Sequence, residues 1–173
     1  MASDFFIKID GIDGESSDKS HSKWIEVIGF QHGSLQNVGV GRATDVSGRG
    51  QFIPFSFTHL VDKATPKLQK FCMSGQKVAK VQFVVCRAVA GAQVPVYEVT
   101  MENVKIAKCQ VKSVTQGESG DLLNSFAGAD GVYIPTEIVE LVPGKMTWKS
   151  TAIKPDNTKD GAVEDSFNQI ENA

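Results

Sequence analysis

The sequence predicts an all-β, mostly antiparallel fold, a sandwich or barrel with one short helix. About eight segments have strand character, most are joined by short turns, and one segment has the residue spacing of a surface helix. The length of 173 residues suits one domain with a substantial hydrophobic core. We therefore expect residues 1–173 to form a single domain that ends in a polar tail from about residue 154.

The helix is predicted near residues 65–74. Thr65 is a suitable N-cap, and Pro66 fits the first helical position, where its missing N–H costs nothing. Gly75 can end the helix in a left-handed conformation. The apolar stripe consists of three residues at i, i+3 and i+4: Leu68, Phe71 and Cys72. A helix this short needs a partner surface, so we expect it to dock on the β-rich body.

The strand segments are recognised by apolar and β-branched residues between turn residues. In chain order they are 5–12, 23–30, 52–60, 78–89, 95–101, 104–114, 132–142 and 145–153. Hairpin turns are expected at 90–92, 102–103 and 143–144. A change in the parity of apolar residues predicts a β-bulge near Ala107 and Lys108.

Two long polar segments interrupt the strands. Residues 31–51 are rich in glycine and have no clear periodicity, which predicts a protruding loop or a flexible hairpin. Residues 116–131 form a second polar loop. Long loops of this kind are usually functional or disordered.

Composition argues against several classes of function. The net charge of −2 and the scattered basic residues argue against a nucleic-acid-binding domain. No apolar run is long enough to span a bilayer, and we expect no secretory signal peptide at the N-terminus. The three cysteines, Cys72, Cys86 and Cys109, are far apart and form no CxxC motif, so we interpret them as buried free thiols.

Signals for catalysis are weak. The segment 117–121 stops short of G-x-S-x-G, and His21, His32 and His59 lack a second ligand at metal-site spacing. We expect no enzyme activity, cofactor or metal. A Ser–His–Asp site assembled from distant residues remains open at this point, because such sites are recognised by geometry.

Several segments, in order, resemble the haemolysin-coregulated protein (Hcp) family of bacterial type VI secretion. They are residues 6–16 (FIKIDGIDGES), 21–27 (HSKWIEV), 61–68 (VDKATPKL) and 144–148 (GKMTW). The segment 61–68, which enters the predicted helix, is the most recognisable. The resemblance covers essentially the whole chain. The sequence departs from the usual pattern after the last strand, at residues 150–155 (STAIKP).

The resemblance implies a β-barrel of two sheets with one flanking helix. It also implies hexameric rings of this chain, stacked into a tube that a contractile sheath expels. The partners would then be further copies of the chain, sheath and tip (spike) proteins, and effector cargo in the lumen. The protein would be assembled in the cytoplasm and secreted without a signal peptide.

Two sets of residues are expected to serve the tube. The Gly-rich loop can protrude and adapt, so we expect it to make the ring-to-ring contact through Gln36, Asn37, Val38, Gly39, Val40, Gly41, Arg42 and Arg49. From the resemblance and the small polar character of the segment, we expect Gln31 and Ser34 to face the lumen.

Two other functions are compatible with a barrel of this kind. One is a monomeric barrel that binds a small ligand in an internal cavity. The other is a hydrolase that uses His59 and a nearby acid. The first is the stronger alternative.

Overall fold

A computed structural model describes residues 3–39, 46–89, 92–113, 135–156 and 158–172. The strands are β1 (Ser3–Ile9), β2 (Ile25–Val27), β3 (Gly29–Leu35), β4 (Val38–Gly39), β5 (Val46–Ser47), β6 (Gln51–Leu60), β7 (Lys77–Val89), β8 (Ala92–Lys112), β9 (Thr136–Val142), β10 (Lys145–Ile153) and β11 (Lys159–Asn168). The helix α1 is Thr65–Ser74. The predicted all-β class with one short helix is confirmed.

The main sheet is antiparallel and follows the order β2-β1-β7-β8-β9-β6-β3, with β10 paired to β8 and β11 paired to β10. Its end strands β2 and β3 are consecutive parts of the chain that bend at Ile28, whose N–H donates to the Thr58 carbonyl at 2.8 Å. The ladder itself is not closed. The sheet nevertheless curls into a barrel-like shape, because one bent segment pairs with β1 at one end and β6 at the other.

The helix has the predicted bounds but a different N-cap. The N-cap residue is Ala64, with no side-chain hydrogen bond, and Pro66 lies in the first turn. Thr65 is not the cap, because its hydroxyl donates instead to Glu137 on β9 at 2.8 Å. At the other end, Gly75 ends the helix with φ +64°, as predicted.

Two predicted hairpin turns are wrong. Glu102 and Asn103 lie inside β8, where Asn103 accommodates a positive φ of 53°. The strands β9 and β10 are not a hairpin around residues 143–144; they run in one direction, and both pair antiparallel with β8. Lys105 lies opposite Val142, and Glu102 lies opposite Lys145. Strands β9 and β10 therefore follow one another along β8 with no shift in register between them.

The break at residues 143–144 splits the sheet. Before it, β9 pairs with β6; after it, β10 pairs with β11. Residues 154–173 therefore include a strand, β11, that extends the sheet from β10. The predicted bulge in β8 is confirmed by a register shift between Ile106 and Lys108.

The long polar segment 31–51 contains a small hairpin-like ribbon. Strand β3 extends to Leu35, and β4 pairs antiparallel with β5, with Val38 opposite Ser47. The second predicted loop, 116–131, and residues 90–91 of the predicted turn at 90–92 lie outside the described residues. Strands β7 and β8 pair antiparallel up to Val89, which lies opposite Ala92.

Large side chains fill the interior of the curled sheet. The largest fully buried ones include Phe55, Phe57, Phe83, Met101 and Leu141. The Phe55 and Phe83 rings meet edge to face, with centroids 5.1 Å apart. This filled interior argues against the alternative of a monomeric barrel with an internal ligand cavity.

Candidate functional site

The first candidate surface is the β4–β5 ribbon. Its base is closed by two hydrogen bonds: the Gly48 N–H donates to the Asn37 carbonyl at 2.8 Å, and the Gln36 amide donates to the Gly48 carbonyl. Gln36, Asn37 and Val38 are exposed, and Val38 keeps 66% of its surface accessible. Gly39 ends β4, while Val40, Gly41 and Arg42 lie outside the described residues. The ribbon therefore presents an apolar side chain on a closed base.

Arg49 ties this ribbon to the C-terminal segment. Its guanidinium donates to the carbonyls of Gln169 and Ile170 at 3.1 and 2.9 Å. The Phe52 N–H donates to the Gln169 side-chain oxygen at 3.1 Å. Arg49 thus has a role within its own chain, which sequence reasoning missed because the partners are backbone atoms 120 and 121 residues away.

An apolar groove of about 400 Å³ lies beside the ribbon base. Its apolar lining comes from four residues: Leu35, Phe52, Trp148 and Phe167. The Phe52 ring meets both Trp148 and Phe167 edge to face, with centroids 6.0 Å apart in each case. The groove joins the ribbon to the β10–β11 hairpin.

The two residues expected to face a lumen lie on opposite faces of β3. Gln31 lies opposite Ser56, on the outer face of the sheet. Ser34 lies opposite Phe52, whose ring packs against the core. Side chains alternate along a strand, so positions three residues apart do not share a face. Both Gln31 and Ser34 are exposed or partly exposed.

Gln31 belongs to a row of polar side chains that crosses four strands. Directly paired residues link Gln31 on β3 to Ser56 on β6, Ser56 to Glu140 on β9, and Glu140 to Lys108 on β8. The Lys108 ammonium lies 3.3 Å from the Glu140 carboxylate. The outer face of these strands is therefore hydrophilic along the whole row, whereas Phe57 and Val139 next to it point into the core.

A buried polar cluster fastens α1 to the sheet. The Glu137 side chain is fully buried and accepts hydrogen bonds from His59 Nε2 at 3.0 Å, Thr65 Oγ1 at 2.8 Å and Gln69 Nε2 at 2.6 Å. Burial alone would raise the pKa of Glu137, but the bonds from these donors hold it below its ordinary value. The cluster joins β6, β9 and the helix.

The His59 ring is also fully buried. Its Nδ1 lies 3.8 Å from Asp62 Oδ1, and among the described residues this nitrogen has no hydrogen-bond partner. Burial raises the pKa of Asp62, although the Ala64 N–H and His59 oppose that shift. A histidine enclosed in this way has no access to a substrate, which argues against the hydrolase alternative that uses His59.

A second group of side chains, Asp18, His21 and Cys86, has the acid–histidine–nucleophile order of a catalytic triad. His21 Nδ1 lies 2.8 Å from Asp18 Oδ1, and His21 Nε2 lies 4.0 Å from Cys86 Sγ. Burial, with nearby carboxylates, raises the pKa of Cys86 to about 11. A catalytic cysteine needs the opposite shift, because the thiolate is the nucleophile. The His21 ring stacks on the Phe6 ring, with centroids 4.4 Å apart, so His21 contributes to side-chain packing.

None of the helices in the described part of the chain combines the length and the apolar character required to cross a bilayer. The geometry described above, an antiparallel barrel-like sheet with one docked helix, defines an all-β protein.

Comparison with known proteins places this geometry in a family. The family model described as "Type VI secretion system effector, Hcp" matches residues 6–149. Protein hcp1 of Pseudomonas aeruginosa is 32% identical over 162 residues, which cover 93% of this chain and 91% of that protein. The chain belongs to the Hcp family, whose members are secreted tube proteins of type VI secretion.

Solved structures show the same fold. A type six secretion system protein superposes with a TM-score of 0.84 at 23% identity, covering 99% of both chains. Hcp1 from Salmonella typhimurium gives 0.74 at 22% identity, covering 99% of this chain and 97% of that one. A type VI secretion system effector from Yersinia pestis gives 0.68 at 24% identity, covering 95% and 99%.

Proposed function

We propose that this chain forms hexameric rings that stack into the inner tube of a type VI secretion system and hold effector proteins in the lumen. The observation that carries the proposal is the family match over residues 6–149, together with the exposed ribbon beside the apolar groove. A ring requires a head-to-tail contact between identical subunits whose rotation closes. A tube requires a second, axial contact, for which the exposed ribbon is the proposed element.

The ribbon is the proposed stacking element. Val38 offers an exposed apolar contact, and the groove lined by Phe52 and Trp148 adds an apolar surface beside the ribbon base. Burying apolar surface between rings is favourable at about 25 cal/mol per Å². In this arrangement Arg49 acts indirectly, because it fixes the base of the ribbon against its own C-terminal segment.

A ribbon variant tests the stacking role. Asn37 and Gly48 are already hydrogen-bonded, so replacing residues 38–47 by Asn-Gly closes the base with a two-residue turn. We expect this variant to form single rings and no tubes in negative-stain images. A matched pair refines the test: Val38→Ser should weaken stacking, and Val163→Ser on β11, where the valine is 76% exposed, should not. Intact tubes from the turn variant would contradict the stacking role.

The polar row that includes Gln31 is the proposed lumen-facing surface. A hydrophilic wall of small and paired charged side chains holds a folded cargo weakly enough to release it. Gln31→Trp should therefore reduce retention of a co-expressed small effector through size exclusion, while rings persist. Ser34→Trp, on the opposite face and at the edge of the apolar groove, is the comparison variant for cargo retention alone. Unchanged retention with Gln31→Trp, or equal loss with both variants, would argue against this face.

Export completes the proposal. The tube is propelled by a contractile sheath, carries a tip (spike) protein, and leaves the cytoplasm without a cleaved signal peptide. The mass of the protein recovered from culture medium tests this, because it should equal that of the cytoplasmic chain. A shorter secreted form would contradict export of the uncleaved chain.

A further inference from the structure

Two of the three cysteines meet between the helix and the sheet. Cys72 lies on α1 and Cys109 on β8, and both are partly buried against the same core. After burial and Glu137, Cys72 is one of the groups that raise the pKa of Cys109, as expected for neighbouring thiols. Cys86 lies elsewhere, packed with Phe6 and Val84.

The geometry of helix docking explains this meeting. Thr65, Gln69 and Cys72 are at i, i+4 and i+7, so they share one face of α1. The first two of these donate to Glu137 on β9, which fixes that face against the sheet. Cys109 lies opposite Val139, the next position along β9 on the face of Glu137. The same face therefore carries Cys72, one turn beyond Gln69, toward Cys109 on the adjacent strand.

We propose that Cys72 and Cys109 form an intrachain disulfide when the protein meets a low-molecular-weight disulfide oxidant such as oxidised glutathione. The Cys72 thiolate attacks one sulfur of the oxidant and expels one glutathione thiolate. Cys109 then loses its proton, attacks the Cys72 sulfur and expels the second glutathione. Two protein thiols are oxidised, one external disulfide is reduced to two thiols, and no other reactant is needed.

The environments of the two thiols set the order of these steps. Burial raises the pKa of Cys109 to about 12, and Glu137 and Cys72 add to the shift, so this thiol is neutral at ordinary pH. The thiolate is the attacking species in exchange, so Cys109 is a poor first nucleophile. Cys72 therefore attacks first, and Cys109 resolves the mixed disulfide. We expect the reaction to be slow at neutral pH and faster at alkaline pH.

The disulfide would fasten α1 to β8 and close a loop through β7. Closing a loop of this length restricts the unfolded chain, and with the size of this protein we expect a rise in melting temperature of roughly 5–10 °C. The effect is independent of ring stacking, so it does not depend on the tube function proposed above.

The test uses the full-length native protein incubated with oxidised glutathione. We expect free thiols to fall from three to one per chain, the count of cysteines being three. The chain mass should fall by about 2 Da, because two hydrogens leave. Peptide mapping without reductant should show residue 72 joined to residue 109, and reductant should reverse both changes.

Matched variants identify the pair. Cys86→Ala should still lose two thiols, whereas Cys72→Ala and Cys109→Ala should retain theirs or stop at a glutathione adduct. Circular dichroism checks that each variant is folded, and the mapping of the wild-type protein does not depend on them. Three free thiols after prolonged oxidation, a bond mapped to Cys86, or a disulfide-linked dimer on a non-reducing gel would each overturn the proposal.

Discussion

The buried Glu137 carboxylate makes a sharp prediction about what fastens the helix. The change is Glu137→Leu, which removes the acceptor of three hydrogen bonds and fills the space with an apolar side chain. Glu140→Leu is the matched control on the same strand. Glu140 is 32% exposed and pairs with Lys108, which is 47% exposed. The two substitutions are chemically identical and differ in burial and in the donors that they leave behind.

The expected magnitudes differ several-fold. Glu137→Leu leaves the donors of His59, Thr65 and Gln69 without their acceptor; the His59 ring is fully buried, and Thr65 and Gln69 are partly buried. Each unsatisfied buried donor costs about 1–3 kcal/mol, and removing one partner of a buried pair costs about 3–5 kcal/mol. We expect the free energy of unfolding to fall by about 3–5 kcal/mol, since some donors can reorient. For Glu140→Leu we expect at most about 1 kcal/mol.

The assay is guanidinium unfolding at one fixed protein concentration, with hydrogen exchange of the helix peptide as a local readout. Fixed concentration matters because assembly stabilises the folded state. Glu137→Leu should also speed exchange within α1, because the helix loses its attachment to β9. If Glu137→Leu does not fold, Glu137→Gln keeps the shape and removes the charge. Equal stability of the Glu137 and Glu140 variants would refute the argument that this cluster fastens the helix.

Three further predictions concern the pH dependence of stability, backbone geometry at glycine and the hydrogen bonds of Arg49. The folded-state pKa of Glu137 lies below its ordinary value of 4.5, so the carboxylate stabilises the fold above that pH and the stabilisation is lost as the pH falls below it. Melting temperatures measured from pH 6 down to pH 3 should show this loss. The loss should be smaller in Glu137→Gln. Gly75→Ala places a side chain at φ +64° and should cost about 1 kcal/mol, whereas Gly29→Ala, with open space and no positive φ, should be near neutral in the same unfolding assay. Arg49→Ala removes two hydrogen bonds to the C-terminal segment, so amide exchange at Gln169 should accelerate; unchanged exchange would argue that the segment is held by its other contacts.

Local patterns were enough to locate the helix and most strands. Pro66 and Gly75 mark the two ends of α1, and Leu68 is buried as its spacing predicts. These features depend on residues within one or two turns of each other. The N-cap was wrong for a non-local reason, because Glu137 competes for the Thr65 hydroxyl across the fold.

The wrong turns have a related cause. Glu102–Asn103 and Pro143–Gly144 are typical turn residues, yet they lie opposite each other where β8 continues and β9 gives way to β10. The Gly144 N–H donates to the Glu102 carbonyl at 3.0 Å, so the irregular positions are paired with one another. Sequence pattern marks an irregular backbone but does not distinguish a reversal from a break in a continuing strand.

The candidate site was only partly predictable. The Gly-rich composition of residues 31–51 pointed to an exposed, irregular element, and β4–β5 lies within it. The polar row of Gln31, Ser56, Glu140 and Lys108 could not be recognised, because its members come together only through strand register. The placement of Cys72 and Cys109 against one core was missed because it depends on how α1 docks on the sheet.

The most direct test of the central proposal is the mass of the purified protein by light scattering after size exclusion, with negative-stain images of the same peak. The account predicts ring-shaped particles of roughly six times the 18.7 kDa chain mass, and stacks of them at high concentration. A monomer that persists at high concentration, with no rings in the images, would contradict it.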